Sequence, residues 1–147
     1  EQVLQNWEQL KTKEKDGNKT VLSGVPAALP SVIKADRIQE KASNVGFVWH
    51  NREDVWPKVR EEIAEFEAEV ANMDKDKATR EFGDLMFSLI NAARLYHINP
   101  DTALEYTNQK FIKRFTYVEM KAREQGRDIK DLTLEVMDAL WEEAKKQ

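Results

Sequence analysis

The sequence contains no cysteine. Disulfides, thiolate zinc sites and cysteine nucleophiles are therefore excluded, and the absence suits a cytoplasmic protein. Histidine is nearly missing too. Neither His50 nor His97 stands three residues after a glutamate, so the Glu-x-x-His signature of di-iron carboxylate bundles is not there. No histidine offers itself as a general base. The 5 glycines and 4 prolines in 147 residues are too few for the many turns of an all-β domain. No apolar run reaches the length of a membrane helix, and no signal peptide is visible. A basic excess is also lacking: the formal net charge is −4. That argues against a nucleic-acid polymer as partner, although a local basic patch can still hold a small anion.

What is present reads as a globular, helix-rich chain with wet faces, 41% hydrophobic and 34% charged. The length suits one domain with a real core. Val3, Leu4, Trp7 and Leu10 have the spacing of an amphipathic helix over 2–15, and Asp16-Gly17-Asn18 opens a loop over 16–29. We therefore expect an N-terminal helix and linker over 1–29 and the main domain over 30–147. Pro30 fits the first turn of a second helix carrying Val32, Ile33, Ile38 and Val45, with Gly46 as its stop. A helix over about 52–73 should bury a stripe of Val55, Val59, Ile63, Phe66 and Val70. After a short turn, an antiparallel neighbour runs to about His97, with Phe82, Leu85, Met86, Leu89 and Ala93 expected inside. Asn99-Pro100 opens the next helix, which buries Phe111, Phe115 and Val118 and ends at Gly126. Asp131 or Thr133 caps a last one carrying Leu134, Met137, Leu140 and Trp141. No stretch alternates as a strand. The expected fold is all-α, an antiparallel bundle of about five to six helices.

Two acidic pairs stand out. Glu62 and Glu65 are three apart, as are Glu81 and Asp84, so each pair shares one face of its helix. If the antiparallel helices bring the pairs together, four anionic oxygen donors converge. Magnesium, a hard cation that bridges carboxylates and phosphates, suits such a set. One acidic pair alone is a weak signal; Glu135 and Asp138 form another. The context adds weight, because Lys58-Glu62-Glu65 and Lys77-Glu81-Asp84 repeat one pattern on adjacent helices. Intrahelical Lys–Glu salt bridges would explain it, although lysine before glutamate is the weaker orientation. Acids for a metal and lysines for phosphate oxygens would explain it equally well. The residue pattern alone does not choose between the two.

Lys110 and Arg114 share one face of their helix, beside Phe111 and Phe115. Two such cations can neutralise a departing pyrophosphate, and arginine adds a planar fork for its oxygens. An ordinary surface pair has the same spacing. Of the four tryptophans, Trp7, Trp49, Trp56 and Trp141, core packing is the first expectation for each and base stacking the second.

Taken in order, these segments carry a resemblance. LQNWEQLKTKEK, LPSVIKADRIQEKASNVGFVW, EEIAE, EFGDLMFSLINAARL, NQKFIKRF and LEVMDALWEEAKKQ closely resemble the MazG nucleoside triphosphate pyrophosphohydrolases, specifically the C-terminal catalytic half of the tandem bacterial enzymes. E-x-x-E followed by E-x-x-D is that family's hallmark, filled here by Glu62/Glu65 and Glu81/Asp84. The resemblance implies an all-α fold, homodimers and Mg²⁺-dependent conversion of nucleoside triphosphates to monophosphate and pyrophosphate. It further implies broad base tolerance and house-cleaning of abnormal nucleotides. It assigns the four carboxylates to metal and catalysis, and Lys110 and Arg114 to catalysis and nucleotide binding. Lys58, Lys77 and Trp141 match further nucleotide contacts. The tandem enzymes carry a related half upstream that this sequence does not show, which leaves the dimer arrangement open. Two rivals remain at this stage: a helical dimerisation or regulatory module with a decayed site, and a narrower dUTP or dCTP pyrophosphatase.

Overall fold

The computed structural model of the chain describes Val3 and residues 19–147. The helix expected over 2–15, with Trp7, lies outside the described residues apart from Val3. Five α-helices follow: α1 (Ser31–Asn44), α2 (Val55–Ala71), α3 (Lys75–Leu95), α4 (Pro100–Glu124) and α5 (Leu134–Ala144). Single 3₁₀ turns occupy Arg52–Asp54 and Ile129–Asp131, and no strand occurs among the described residues. The all-α expectation holds. No helix among the described residues is long and apolar enough to cross a membrane. The chain divides into two compact units, one ending at Asp101 and the other running from Thr102 to Gln147.

In the first unit α2 and α3 lie side by side. Their antiparallel sense is visible in the contacts: Val55 and Val59, early in α2, share a cluster with Ala92, Leu95 and Tyr96, late in α3. Phe66, late in α2, meets Phe82, early in α3, with ring centroids 5.2 Å apart. Helix α1 is tied to α3 by Gln39 and by a 3.0 Å ion pair between Asp36 and Arg94. Pro30 is not in the first turn as expected. Its ψ of 145° is extended and makes it the N-cap, with its carbonyl accepting the Lys34 N–H.

The expected stripes hold in part: Val55, Val59 and Phe66 on α2 and Leu85 on α3 are buried or half-buried as read, and other positions shift to the adjacent side. On α2 the line is Val55, Val59, Glu62 and Phe66, while Ile63 and Val70 are exposed. On α3 it is Glu81, Leu85, Ser88 and Ala92, while Phe82, Met86 and Leu89 are exposed. An apolar stripe shows that a face avoids water but not which element covers it, and here the seam takes in Glu62 and Glu81 in place of Ile63 and Phe82.

Four helices end the same way. After α1, α2, α3 and α4 the second residue beyond the helix donates its N–H to the second-last helical carbonyl and the third to the third-last, for example Met73 to Val70 and Asp74 to Glu69. This ending needs a left-handed residue. Gly46 (φ 99°) and Gly126 (φ 71°) supply it as expected, whereas Met73 (φ 58°) and His97 (φ 61°) adopt it at the other two ends.

The second unit is centred on Val118, Ala122, Leu132 and Leu140, with Met137 and Trp141 against them. Thr133, one of the two expected caps, accepts the Val136 N–H of α5. Phe111 and Phe115 are exposed rather than buried; they stack on one another, and Phe111 also meets Trp141.

Candidate active site

Glutamate at a core position costs stability unless something compensates its charge. Glu62 holds such a position: it is 4% exposed, in line with the two valines that anchor α2. Across the seam Glu81 begins the buried line of α3 and is half-buried, and Asp84, one turn on, is exposed. One carboxylate oxygen from each of Glu62, Glu81 and Asp84 lies within 4.8 Å of the others. Antiparallel packing thus brings the two acidic pairs together.

Glu65 completes the set from the solvent side. It is exposed, and its carboxyl is held above the ordinary 4.5. The negative charge of Glu62 is the main cause, followed by desolvation and a hydrogen bond with the Glu81 carboxyl. Like charges this close strain the acid-only state.

A divalent cation is the natural complement, and the residues can be tested for it. Glu62 Oε2 and Glu81 Oε2 are buried and have no hydrogen-bond partner. Buried carboxylate oxygens without donors are rare and costly. The set is all-oxygen and anionic, as hard cations prefer. The residues therefore fit a divalent metal, with Glu62, Glu81 and Asp84 nearest and Glu65 beside them.

The lysines of the two repeats differ. Lys58 Nζ lies 2.8 Å from Glu62 and 3.0 Å from Glu61, and these carboxylates, Glu62 first, hold its pKa well above the usual lysine value. The intrahelical salt bridge is thus formed in the first repeat. In the second, the Lys77 backbone N–H is received by the N-cap Asp74, and its ammonium forms no ion pair among the described residues.

Beside the acids opens a cavity of about 810 Å³, walled by α1, α2, α3 and the loop after Gly46. Glu62, Asp84 and Lys58 belong to its wall. Gln39, which no motif singled out, also lines it and is the most buried residue of α1. A signal for it did exist: one amide among Val32, Ala35 and Ala42 on a helical stripe. Trp49 and Trp56 are partly exposed, against the core expectation; Trp49 lines the cavity and Trp56 donates to the Tyr96 hydroxyl.

Lys110, Arg114 and Trp141 belong to the second unit. Lys110 is exposed, and the half-buried Arg114 guanidinium sits 6.0 Å from the centroid of Trp141. Arginine, tryptophan and Phe111 thus form one aromatic, cationic patch on α4 and α5.

Comparison with known proteins agrees with this arrangement. Residues 50–119 match the MazG nucleotide pyrophosphohydrolase domain. The chain is 37% identical, over 99% of its length, to a nucleoside triphosphate pyrophosphohydrolase of Escherichia coli (strain K12), of which it covers 57%. It is 36% identical, over 95% of its length, to the nucleoside triphosphate pyrophosphohydrolase/pyrophosphatase MazG of Thermotoga maritima, of which it covers 54%. To the uncharacterized protein YabN of Bacillus subtilis (strain 168) it is 46% identical over 98% of its length, covering 30% of that protein. The chain spans little more than half the length of the first two relatives. Residues 50–119 thus carry the match to the MazG nucleotide pyrophosphohydrolase domain, and the chain is similar along almost its whole length to proteins named as nucleoside triphosphate pyrophosphohydrolases.

Proposed function

We propose that the chain hydrolyses ribo- and deoxynucleoside triphosphates, with broad base tolerance, to nucleoside monophosphate and pyrophosphate, using Mg²⁺. The observation that carries this is the acidic seam: three converging carboxylates, two of them with buried oxygens that lack any donor. Relatives named as nucleoside triphosphate pyrophosphohydrolases support the reaction class.

In this reading Glu62, Glu65, Glu81 and Asp84 hold the metal. When bound, the metal neutralises phosphate charge and makes a nearby water more acidic. One of the four carboxylates orients the attacking water or takes its proton. The water oxygen bonds to the α-phosphorus, the bond from that phosphorus to the bridging oxygen breaks, and pyrophosphate leaves with the electron pair. Attack at the β-phosphorus is the less favoured course. Lys110 and Arg114, assigned through the NQKFIKRF match, balance the charge of the leaving group. Lys77, whose ammonium forms no ion pair among the described residues, is a further phosphate contact, and Trp141 a nucleotide contact. Lys58, paired with Glu62, would be free to contact phosphate with a metal on that carboxylate.

Residues 30–147 are the hydrolase domain in this reading, and two copies form a homodimer. The exposed Phe82, Met86 and Leu89 on α3, with Ile63 and Val70 on α2, support the dimer, since an apolar face of this extent marks an interface. A cytoplasmic setting, where free nucleoside triphosphates are abundant, belongs to the same reading.

Pyrophosphate release from a panel of nucleoside triphosphates, with Mg²⁺ and with a chelator, is the test. Monophosphate and pyrophosphate from many bases, lost on chelation, are expected. Silence on every triphosphate with Mg²⁺ present would sink the reading.

A further inference from the structure

A triphosphate held at the acids has to place its nucleoside somewhere, and the adjoining cavity has the right chemistry for it. Its volume of about 810 Å³ lies within the range of small-molecule sites. Glu62 and Asp84 are shared between acids and cavity wall, so the two are continuous. At the rim stand Phe47, 84% exposed, and Trp49. They follow the left-handed Gly46, which turns the chain out of α1. Rings left this open to water present faces on which a flat heterocycle can stack.

The cavity is not a second phosphate site. Both cations on its wall are already neutralised, Lys58 by Glu62 and Glu61 and Arg94 by Asp36. What it offers instead is an acceptor. Gln39 is 7% exposed, and its Nε2 donates to the Phe87 carbonyl at 2.9 Å. That bond fixes the orientation of the amide. Its Oε1 is left buried without a partner among the described residues, which is costly in an apolar setting.

We infer that this cavity is the nucleoside subsite and that Gln39 Oε1 accepts an N–H from the base. The inference rests on the hydrolase reading only in placing a triphosphate at the acids. It also gives base tolerance a physical source. Every common base carries an N–H on its pairing edge: an exocyclic amine in adenine and cytosine, a ring N–H in guanine, uracil and thymine. One acceptor therefore selects a base without choosing among bases. Gln39 is a specificity residue, not a catalytic one.

Adenine provides the test, because its 6-amine is its only N–H group. Binding of α,β-methylene-ATP and of the matching purine riboside analogue, which lacks that amine, is measured by calorimetry with Mg²⁺ for the wild type and Gln39→Leu. These analogues are not cleaved at the α–β bridge, so binding is read apart from turnover. We expect the wild type to prefer the amine-bearing analogue by about tenfold, one neutral hydrogen bond, and Gln39→Leu to erase the preference. Equal affinities in the wild type, which need no variant, would overturn the assignment. So would a preference that survives in Gln39→Leu, or no binding of either analogue. A wild type that shows the preference yet releases no pyrophosphate from any triphosphate leaves the subsite standing and removes the hydrolase reading.

Discussion

Lys58-Glu62-Glu65 on α2 and Lys77-Glu81-Asp84 on α3 have the same spacing and face each other, yet they sit in different surroundings. In the first copy the middle acid is buried in line with two core valines and gripped by its lysine. In the second the middle acid is half-buried, the last is exposed, and the lysine forms no ion pair among the described residues. The same letters thus yield one arm in which charge is already balanced and one that is left open. A site that must both fold without ligand and bind a charged one can use that division: the buried acid is protected by a lysine until a metal replaces it, and the open arm receives what comes.

The largest expected effect breaks both arms alike. Glu62→Gln, Glu81→Gln and Asp84→Asn should each lower kcat by about 10³-fold or more while the far-ultraviolet circular dichroism stays helical. Full activity in any of them would remove that acid from the metal set. The arms should separate in stability: losing the negative charge at Glu62 relieves a buried carboxylate, whereas losing it at the exposed Asp84 relieves little.

Metal itself is the next lever. With Mg²⁺ at a hundred times its dissociation constant, the folded state should gain about 2.7 kcal/mol, a rise of several degrees in Tm. Glu65 shows the other side of that linkage. Its folded pKa is raised, so the folded protein holds this proton more tightly than the unfolded chain. The contribution of Glu65 to metal-free stability is then fully present below the ordinary 4.5 and is lost as pH rises through the raised value. Glu65→Gln should raise the metal-free Tm at neutral pH and shrink the Mg²⁺-induced shift. An unchanged shift would place Glu65 outside the metal set.

A smaller effect tests the lysines against each other. Lys58→Met leaves the buried Glu62 without its cation and should cost about 1 kcal/mol in metal-free urea unfolding, a modest figure because the lysine is half exposed to solvent. Lys77→Met should stay within about 0.5 kcal/mol. Equal losses would mean that the difference between the arms has no energetic content.

The acids of both arms were legible in the sequence but the contrast between the arms was not, and the limits are physical. Helix ends were readable because Gly46, Gly126, Pro100 and Thr133 act through local backbone geometry, which one residue type can announce. The four acids were readable because i, i+3 spacing and a short turn suffice to bring them together. The faces of α2 and α3 were read only in part: Val55, Val59 and Leu85 pack as expected, but Ile63, Phe82 and Leu89 are as apolar as the residues that are buried, and only the neighbouring helix decides. Glu62 was recognised as a ligand candidate but not as a core residue, because a buried carboxylate runs against composition. Gln39 escaped notice although its place on a helical stripe was legible, because its importance lies in an oxygen without a donor among the described residues.

The turn that sets the two arms against each other supplies the smallest and cleanest test. After α2 the chain must reverse within three residues, and Met73 takes the left-handed conformation (φ 58°) that glycine takes after α1 and α4. Its side chain is 87% exposed and contributes little packing to offset that conformation. A β-carbon in this region costs about 1–2 kcal/mol, while glycine restores some of that as extra freedom in the unfolded chain. Met73→Gly should therefore stabilise the protein by about 0.5–1 kcal/mol, read from urea unfolding with an unchanged m-value. Gly46→Ala, the mirror change at a glycine with φ 99°, should destabilise by a similar amount although its added methyl meets open space. Opposite signs at the two positions would show that the endings are governed by backbone conformation alone. A destabilised Met73→Gly would mean instead that the methionine makes contacts that hold the arms in register, and its loss should then appear as weaker Mg²⁺ binding as well.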